Sequence, residues 1–328
     1  MKVVMCLGLL WASLLSVSAQ TPIARLERFL FFGNEYVRLE EWARANNFQS
    51  KWLVPRQQLK ISNSSSTLLV WADSRKVSLN GVSVWLSAPV AVRNGSAFIP
   101  PVDLTTVLQP LLFPAKTSPG KKISTICLDP GHGGKDPGNR EGKQQEKKYT
   151  LLLATELGAL LTKAGFKICY TRSTDEFIDL PTRPEKARRR AVDLFVSLHF
   201  NSADGAGASA VKGTEVYCLT PAHTSSTNAR GEGGGSGSYG GNRFDAKNIL
   251  LSYQIQKSLV KNLAVEDRGV RRARFAVLRS AEMPAVLIEG GFMTNPTEAK
   301  KIYDPVYRRR MALAIVDGLL AYKQTLEQ

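Results

Sequence analysis

Asp129-Pro130-Gly131-His132-Gly133-Gly134 is the segment that most restricts how this chain can fold. It follows an apolar run over residues 123–128 that reads as a buried strand. Pro and Gly this close together cannot continue a strand, so the chain has to turn there. His132 is thereby fixed at the C-terminal end of a strand, the edge of an α/β sheet where ligands bind. Glu146 opens a segment with apolar residues at Tyr149, Leu152, Leu153, Leu157, Leu160 and Leu161, the spacing of a helix. A second histidine, His199, ends another apolar strand over 194–199. Two histidines and a carboxylate on strand ends and a helix start suit a tetrahedral zinc with one open position.

The 328 residues, 43% of them hydrophobic, suffice for two domains with cores. Lys2 precedes an apolar run over 3–15, and Val17-Ser18-Ala19 supplies small residues for cleavage after Ala19. Residues 1–19 therefore read as a secretory signal peptide, too short to span a bilayer. The expectation is a secreted protein of the periplasm or cell envelope, without stable membrane insertion after signal cleavage. Cys6 lies inside the leader. Cys127, Cys169 and Cys218 fall in predicted strands without paired spacing, which argues for buried free thiols rather than a disulfide framework. The net charge of +16 is spread on both sides of residue 122. A basic protein meets polyanions, and for an exported one those are envelope polymers rather than nucleic acid. Arg188-Arg189-Arg190 and Arg308-Arg309-Arg310 read as solvated helix faces.

Residues 22–113 are strand-rich with two short helices, predicted at 40–46 and 102–108. Asn80-Gly81 between two short alternating runs signals a two-residue hairpin. The patterns Lys76-Val-Ser-Leu-Asn-Gly81, Leu86-Ser-Ala-Pro89 and Asn94-Gly-Ser-Ala-Phe-Ile-Pro-Pro-Val-Asp-Leu104 resemble the copper amine oxidase N-terminal-like domain. The segment contains no histidine, so no copper ligands are implied; it is expected to be a wall-binding or spacer module. A linker at 114–122 follows. Strands then alternate with helices, the mark of an α/β sheet: strands at 123–128, 166–171, 194–199, 213–219, 277–278 and 285–289, helices at 146–163, 183–192, 245–263 and 305–325. The expected fold class is α/β, a catalytic domain over 123–326 with a mostly parallel twisted sheet flanked by helices, preceded by a small strand-rich α+β domain. Residues 231–242, nearly all Gly and Ser, read as a mobile loop.

Glu289 closes the apolar run Pro284-Ala-Val-Leu-Ile288 and is followed by Gly290-Gly291. A carboxylate at a buried strand tip is desolvated, which raises its pKa and suits it to base chemistry, with the glycines giving access. His223 sits in a polar Ser/Thr loop and reads as solvated. At this point a family becomes recognisable. Leu128-Asp-Pro-Gly-His-Gly-Gly-Lys-Asp-Pro-Gly138, Glu146-Lys147, Tyr170-Thr-Arg-Ser-Thr-Asp175, Val196-Ser-Leu-His-Phe-Asn-Ser202, Asp267-Arg-Gly-Val-Arg-Arg-Ala273, Phe275-Ala-Val-Leu278 and Pro284-Ala-Val-Leu-Ile-Glu-Gly-Gly-Phe-Met-Thr-Asn-Pro296 stand in the order found in type 3 N-acetylmuramoyl-L-alanine amidases. Residues 122–326 resemble these zinc enzymes.

The resemblance implies zinc ligands at His132, Glu146 and His199, a catalytic glutamate at Glu289, and an asparagine beside the site at Asn201, assigned here to substrate binding. Glu141 competes with Glu146 for the carboxylate position, but Glu146 has the following Lys and the helix start that the family shows. The implied partner is peptidoglycan, cut at the amide between N-acetylmuramic acid and the L-alanine of the stem peptide, with an activator protein as a second candidate partner. Rival readings are a zinc peptidase acting within the stem peptide and a wall-binding protein without activity. Some relatives carry a regulatory helix where this chain has its glycine-rich stretch.

Overall fold

The computed structural model describes residues 23–120, 122–227 and 237–327. The leader expected at 1–19 and the first half of the glycine-rich stretch, 231–236, lie outside them. The half after residue 122 is built on four parallel strands in the spatial order Lys167–Tyr170, Thr125–Pro130, Leu194–Asn201 and Ala285–Phe292. The last three are almost continuous apolar runs, as strands covered on both faces require. Thr214–Leu219 joins antiparallel to Ala285–Phe292, and Asp267–Ala273 runs parallel to Thr214–Leu219.

Side chains alternate between the two faces of this sheet. Leu194, Val196 and Leu198 share one core with Leu153 and Leu157 of helix Glu146–Lys163, Ile255 and Leu259 of helix Asp245–Leu263, and Ile315 and Leu319 of helix Pro305–Glu327. Phe195 and Leu287 point the other way, onto Ala187 of helix Thr182–Arg189 and Val277 and Leu278 of the single turn Ala276–Arg279. The mixed α/β class and the mostly parallel arrangement of these strands are thus as expected. Helices at 146–163 and 245–263 have the predicted bounds.

Several local expectations need correction. The apolar pair Val277-Leu278 is a helical turn, not a strand; the strand nearby is Asp267–Ala273. Its sequence, Asp-Arg-Gly-Val-Arg-Arg-Ala, hides the strand because its arginines find partners within the protein: Arg268 and Arg271 pair with Glu215, and Arg272 donates to the Leu219 and Thr106 carbonyls. Helix Pro296–Tyr303 was also not expected, although Asn295 accepts from the Thr297 and Glu298 amides and Pro296 occupies the first turn. Arg308 is buried rather than solvated: its guanidinium donates to the carbonyls of Ile302 and Tyr303, the last turn of that helix. Residues 240–242, placed in the mobile loop by composition, open the 3-10 helix Gly240–Phe244, with the Asn242 side chain bonded to the Tyr239 amide and the Thr220 carbonyl. Cys127 and Cys218 are buried free thiols, whereas Cys169 is partly exposed.

The sheet continues past Asp267–Ala273. Strand Val82–Trp85 pairs parallel with it at Val84 and Val270. Lys76–Leu79, Thr67–Trp71, Gln58–Ser62 and Gln49–Val54 then extend it, each antiparallel to the last, to eleven strands. Asn80 and Gly81 turn the expected hairpin with φ of 47° and 83°, the positive pair that a type I′ turn needs. Val77 and Val84 share a core with Cys218, Tyr253 and Val270. A separate four-stranded sheet, Phe29–Phe31, Asn34–Arg38, Ser96–Ile99 and Ala91–Arg93, is formed by the N-terminal residues. No helix among the described residues is long and apolar enough to cross a membrane.

Candidate metal centre

Thr125–Pro130, Leu194–Asn201 and Ala285–Phe292 end side by side, and the chemistry gathers where they stop. His132 follows the first strand in a left-handed conformation, φ 61°, which a non-glycine residue adopts only when its surroundings hold it there. They do. Arg183 donates to the His132 and Pro130 carbonyls at 2.8 and 2.9 Å. Arg172 donates to the Pro130 and Gly131 carbonyls at 3.0 and 2.8 Å. Arg183 is itself locked by Asp129 at 2.9 Å, both side chains being almost wholly buried. Thr171 and Ser197 hydroxyls donate to the same carboxylate. Removing one member of such a pair leaves a buried charge without its partner. Arg183→Ala is therefore expected to destabilise the fold by about 3–5 kcal/mol, read from the midpoint of denaturant unfolding.

Glu146, the first residue of its helix, sits between the two imidazoles. One carboxylate oxygen is 3.0 Å from His132 Nε2 and the other 3.0 Å from His199 Nδ1. Side-chain exposure is 6% for Glu146 but 22% and 18% for His132 and His199. The carboxylate is thus walled in while both rings open to the cavity. Asp136 holds the far nitrogen of His132, Nδ1, at 2.8 Å. That contact sets the ring's orientation and leaves Nε2 toward Glu146, the arrangement that metal-ligating histidines use. Burial disfavours the carboxylate of Glu146, but hydrogen bonds and charge from the two histidines outweigh it and hold its pKa well below the usual range. For His132 burial opposes protonation, and Glu146 and Asp136 together outweigh it and raise its pKa.

The ligand atoms of His132, Glu146 and His199 lie within 4.8 Å of one another, the one such His/Cys/Asp/Glu cluster among the described residues. Two nitrogens and a carboxylate, preset by outer hydrogen bonds, fit a divalent metal with room for a further ligand. Backbone approach is close enough to need glycine. A Cβ on Gly131 would lie 2.2 Å from the His199 ring, and one on Gly138 would lie 2.6 Å from both Glu146 and His132. Gly131→Ala is expected to push His199 aside and to weaken the hold of the cluster on a divalent metal by about 10–100-fold. Metal titration of the variant tests it, and wild-type affinity contradicts it.

Glu289 is the register neighbour of His199 on the adjacent parallel strand. Its Oε2 is buried and has no hydrogen-bond partner among the described residues. Burial, then the charges of Glu146 and Glu215, push its pKa well above the ordinary carboxylate value. Glu289, the three clustered residues, Asn201 and the apolar side chains of Leu180, Phe275 and Val277 line one cavity of about 380 Å³. Asn201 donates to Glu215 Oε1 at 2.8 Å. Glu141 stands apart and exposed, in the small hairpin of Arg140–Glu141 and Gln144–Gln145. His223 is exposed as well. The expected site residues thus all meet at one edge. Asp136 and Glu215 were missed. Asp136 sits four residues after His132, within reach of its ring, and that spacing was a usable signal. Glu215 gave none, because its cationic partners, Arg268 and Arg271, come from a strand that was itself unread.

The comparisons with known proteins agree with this geometry. A family model described as N-acetylmuramoyl-L-alanine amidase matches residues 126–321. A probable cell wall amidase, LytH of Staphylococcus epidermidis, is 34% identical over 204 residues, 61% of this chain and 59% of the relative. The N-acetylmuramoyl-L-alanine amidase LytC of Bacillus subtilis is 34% identical over 198 residues, 60% of this chain and 35% of the relative. The chain thus spans only part of the length of these curated relatives. Among solved structures, the N-acetylmuramoyl-L-alanine amidase AmiC2 of Nostoc punctiforme superposes with a TM-score of 0.52 at 31% identity, covering 62% of this chain and 99% of that one. Motif order, the three-residue cluster and the length of the family match together place this chain in the Amidase_3 family of N-acetylmuramoyl-L-alanine amidases.

Proposed function

We propose that the protein is a zinc-dependent N-acetylmuramoyl-L-alanine amidase of the cell envelope. It would hydrolyse the amide between the lactyl group of N-acetylmuramic acid and the L-alanine of the stem peptide. The observation that supports this most is the single cavity shared by Glu289 and by His132, Glu146 and His199. A zinc ion held by those three side chains supplies Lewis-acid polarisation of a carbonyl and lowers the pKa of water toward ~7.

The chain's own residues account for the proton movements. Glu289 takes a proton from the attacking water as the new C–O bond forms, then gives it to the alanine nitrogen as the C–N bond breaks. A carboxylate raised by burial suits both halves, since it binds the proton firmly enough to deliver it. The products are a lactyl carboxylic acid on the glycan and a stem peptide with a free amine. Asn201 offers an amide to the substrate from the cavity wall, and Leu180, Phe275 and Val277 exclude water from one side. The net charge of +16 favours approach to an anionic wall.

The test is a digest of purified peptidoglycan by zinc-loaded protein, followed by mass spectrometry of the released fragments. Stem peptides beginning at L-alanine, abolished by chelator, are the expected products. Fragments cut within the stem peptide would make it a peptidase on the same scaffold.

A further inference from the structure

Strand Asp267–Ala273 lies between the catalytic strand Thr214–Leu219 and the N-terminal strand Val82–Trp85. Its two sides are joined by side chains as well as by the ladder. On the N-terminal side, the Trp85 indole N–H donates to the Arg268 carbonyl at 2.9 Å. The Arg271 guanidinium lies 4.5 Å from the centroid of the Trp85 ring. The Ser83 amide donates to the Asp267 carboxylate at 2.7 Å. On the catalytic side, Arg268 Nε and Arg271 Nε both reach Glu215 Oε2 at 2.9 Å. The other oxygen of Glu215 accepts from Asn201 Nδ2 and from the Tyr217 hydroxyl, each at 2.8 Å. Glu215 is also the register partner of Glu289.

Glu215 is 2% exposed, and a carboxylate so buried persists as an anion only with cations and donors in place. Both cations come from a strand whose outer edge is covered by the N-terminal unit. An arginine side chain has many rotamers, and stacking on an aromatic ring selects among them. Gly269 fits the same contact, since a Cβ there would lie 2.8 Å from the Ser83 carbonyl oxygen. The two units approach too closely there for a side chain at position 269.

We propose that the N-terminal unit is a positioning element of the catalytic site: Trp85 holds Arg271 and the strand beneath it, so that Glu215 fixes Asn201 in the substrate cavity. Trp85 and Glu215 are positioning residues, since neither lines the cavity. The inference rests on the amidase reading for its kinetic consequence, and on the contacts alone for its structural one.

The experiment compares Trp85→Ala, Trp85→Phe and Trp52→Ala in the otherwise unaltered chain. Trp52 belongs to the same unit but sits on the outermost strand, Gln49–Val54, and so controls for general loosening. Trp85→Ala is expected to lower kcat on peptidoglycan about tenfold with zinc content unchanged, as misplacement of an orienting group does. Trp85→Phe keeps the ring over Arg271 and should recover most of that loss, while Trp52→Ala keeps the wild-type kcat. Amide hydrogen exchange supplies the readout that needs no activity. Only Trp85→Ala should speed exchange in both 214–219 and 199–202. If the wild-type protein releases no stem peptide, the amidase reading fails and exchange alone decides the present proposal. Equal effects of Trp85→Ala and Trp52→Ala on the available readouts, or no effect of Trp85→Ala on them, would overturn it.

Discussion

Glu289→Gln is expected to abolish most turnover, by about 10²–10⁴-fold, while zinc content, fold and substrate binding stay at wild-type levels. The amide of glutamine matches the carboxylate in size but cannot take and return a proton. Glu289 has one buried oxygen with no partner among the described residues, so the substitution breaks no hydrogen bond of that oxygen. Replacing a buried carboxylate whose pKa is pushed up by burial and by Glu146 and Glu215 also removes a like-charge neighbour. Stability should therefore stay level or rise slightly in neutral solution, which separates this substitution from a folding defect. A steady-state assay on peptidoglycan, with thermal unfolding and metal analysis on the same sample, reads all of these. Near wild-type hydrolysis would remove Glu289 from the proposed chemistry.

His199→Ala is expected to cost the metal itself. With one imidazole gone, only Glu146 and His132 remain of the cluster, and two ligands do not hold zinc at a catalytic site. Glu146 would also lose the 3.0 Å contact to His199 Nδ1, leaving a buried carboxylate with fewer partners. Zinc should fall from one equivalent to a small fraction after dialysis, and activity should fall with it. Unchanged stoichiometric zinc would contradict the ligand assignment. Unlike Glu289→Gln, this variant should gain no wild-type behaviour in its metal content however mildly it is prepared.

The parts of the molecule legible from sequence were those whose local signal and tertiary role agree. The turn at 129–134 is punctuated by Pro and Gly, and the strands around it are apolar because both faces are covered. Helices over 146–163 and 245–263 could be read to the residue, since the apolar stripe begins where the structure needs it. The edge where His132, Glu146, His199, Asn201 and Glu289 meet followed from strand ends and from the family motifs. What stayed hidden depends on partners remote in sequence. Asp267–Ala273 is rich in charge and has no alternation to betray it, because Glu215 and Trp85 neutralise or cover Arg268 and Arg271, and Arg272 donates to the Leu219 and Thr106 carbonyls. Arg308 looked solvated for the same reason: its acceptors, the Ile302 and Tyr303 carbonyls, end a helix that had not been read. Val277 and Leu278 are apolar because they pack on the sheet, a fact that two residues cannot distinguish from membership of it.

The most direct test of the proposed reaction is a digest of peptidoglycan in oxygen-18 water, followed by mass spectrometry of both product ends. Hydrolysis at the muramyl amide predicts one heavy oxygen in the lactyl carboxylate of the glycan and none in the released peptide, whose N-terminus is a free L-alanine amine. Heavy oxygen in a peptide carboxylate, with the glycan unlabelled, would contradict the account and place the scissile bond inside the stem peptide.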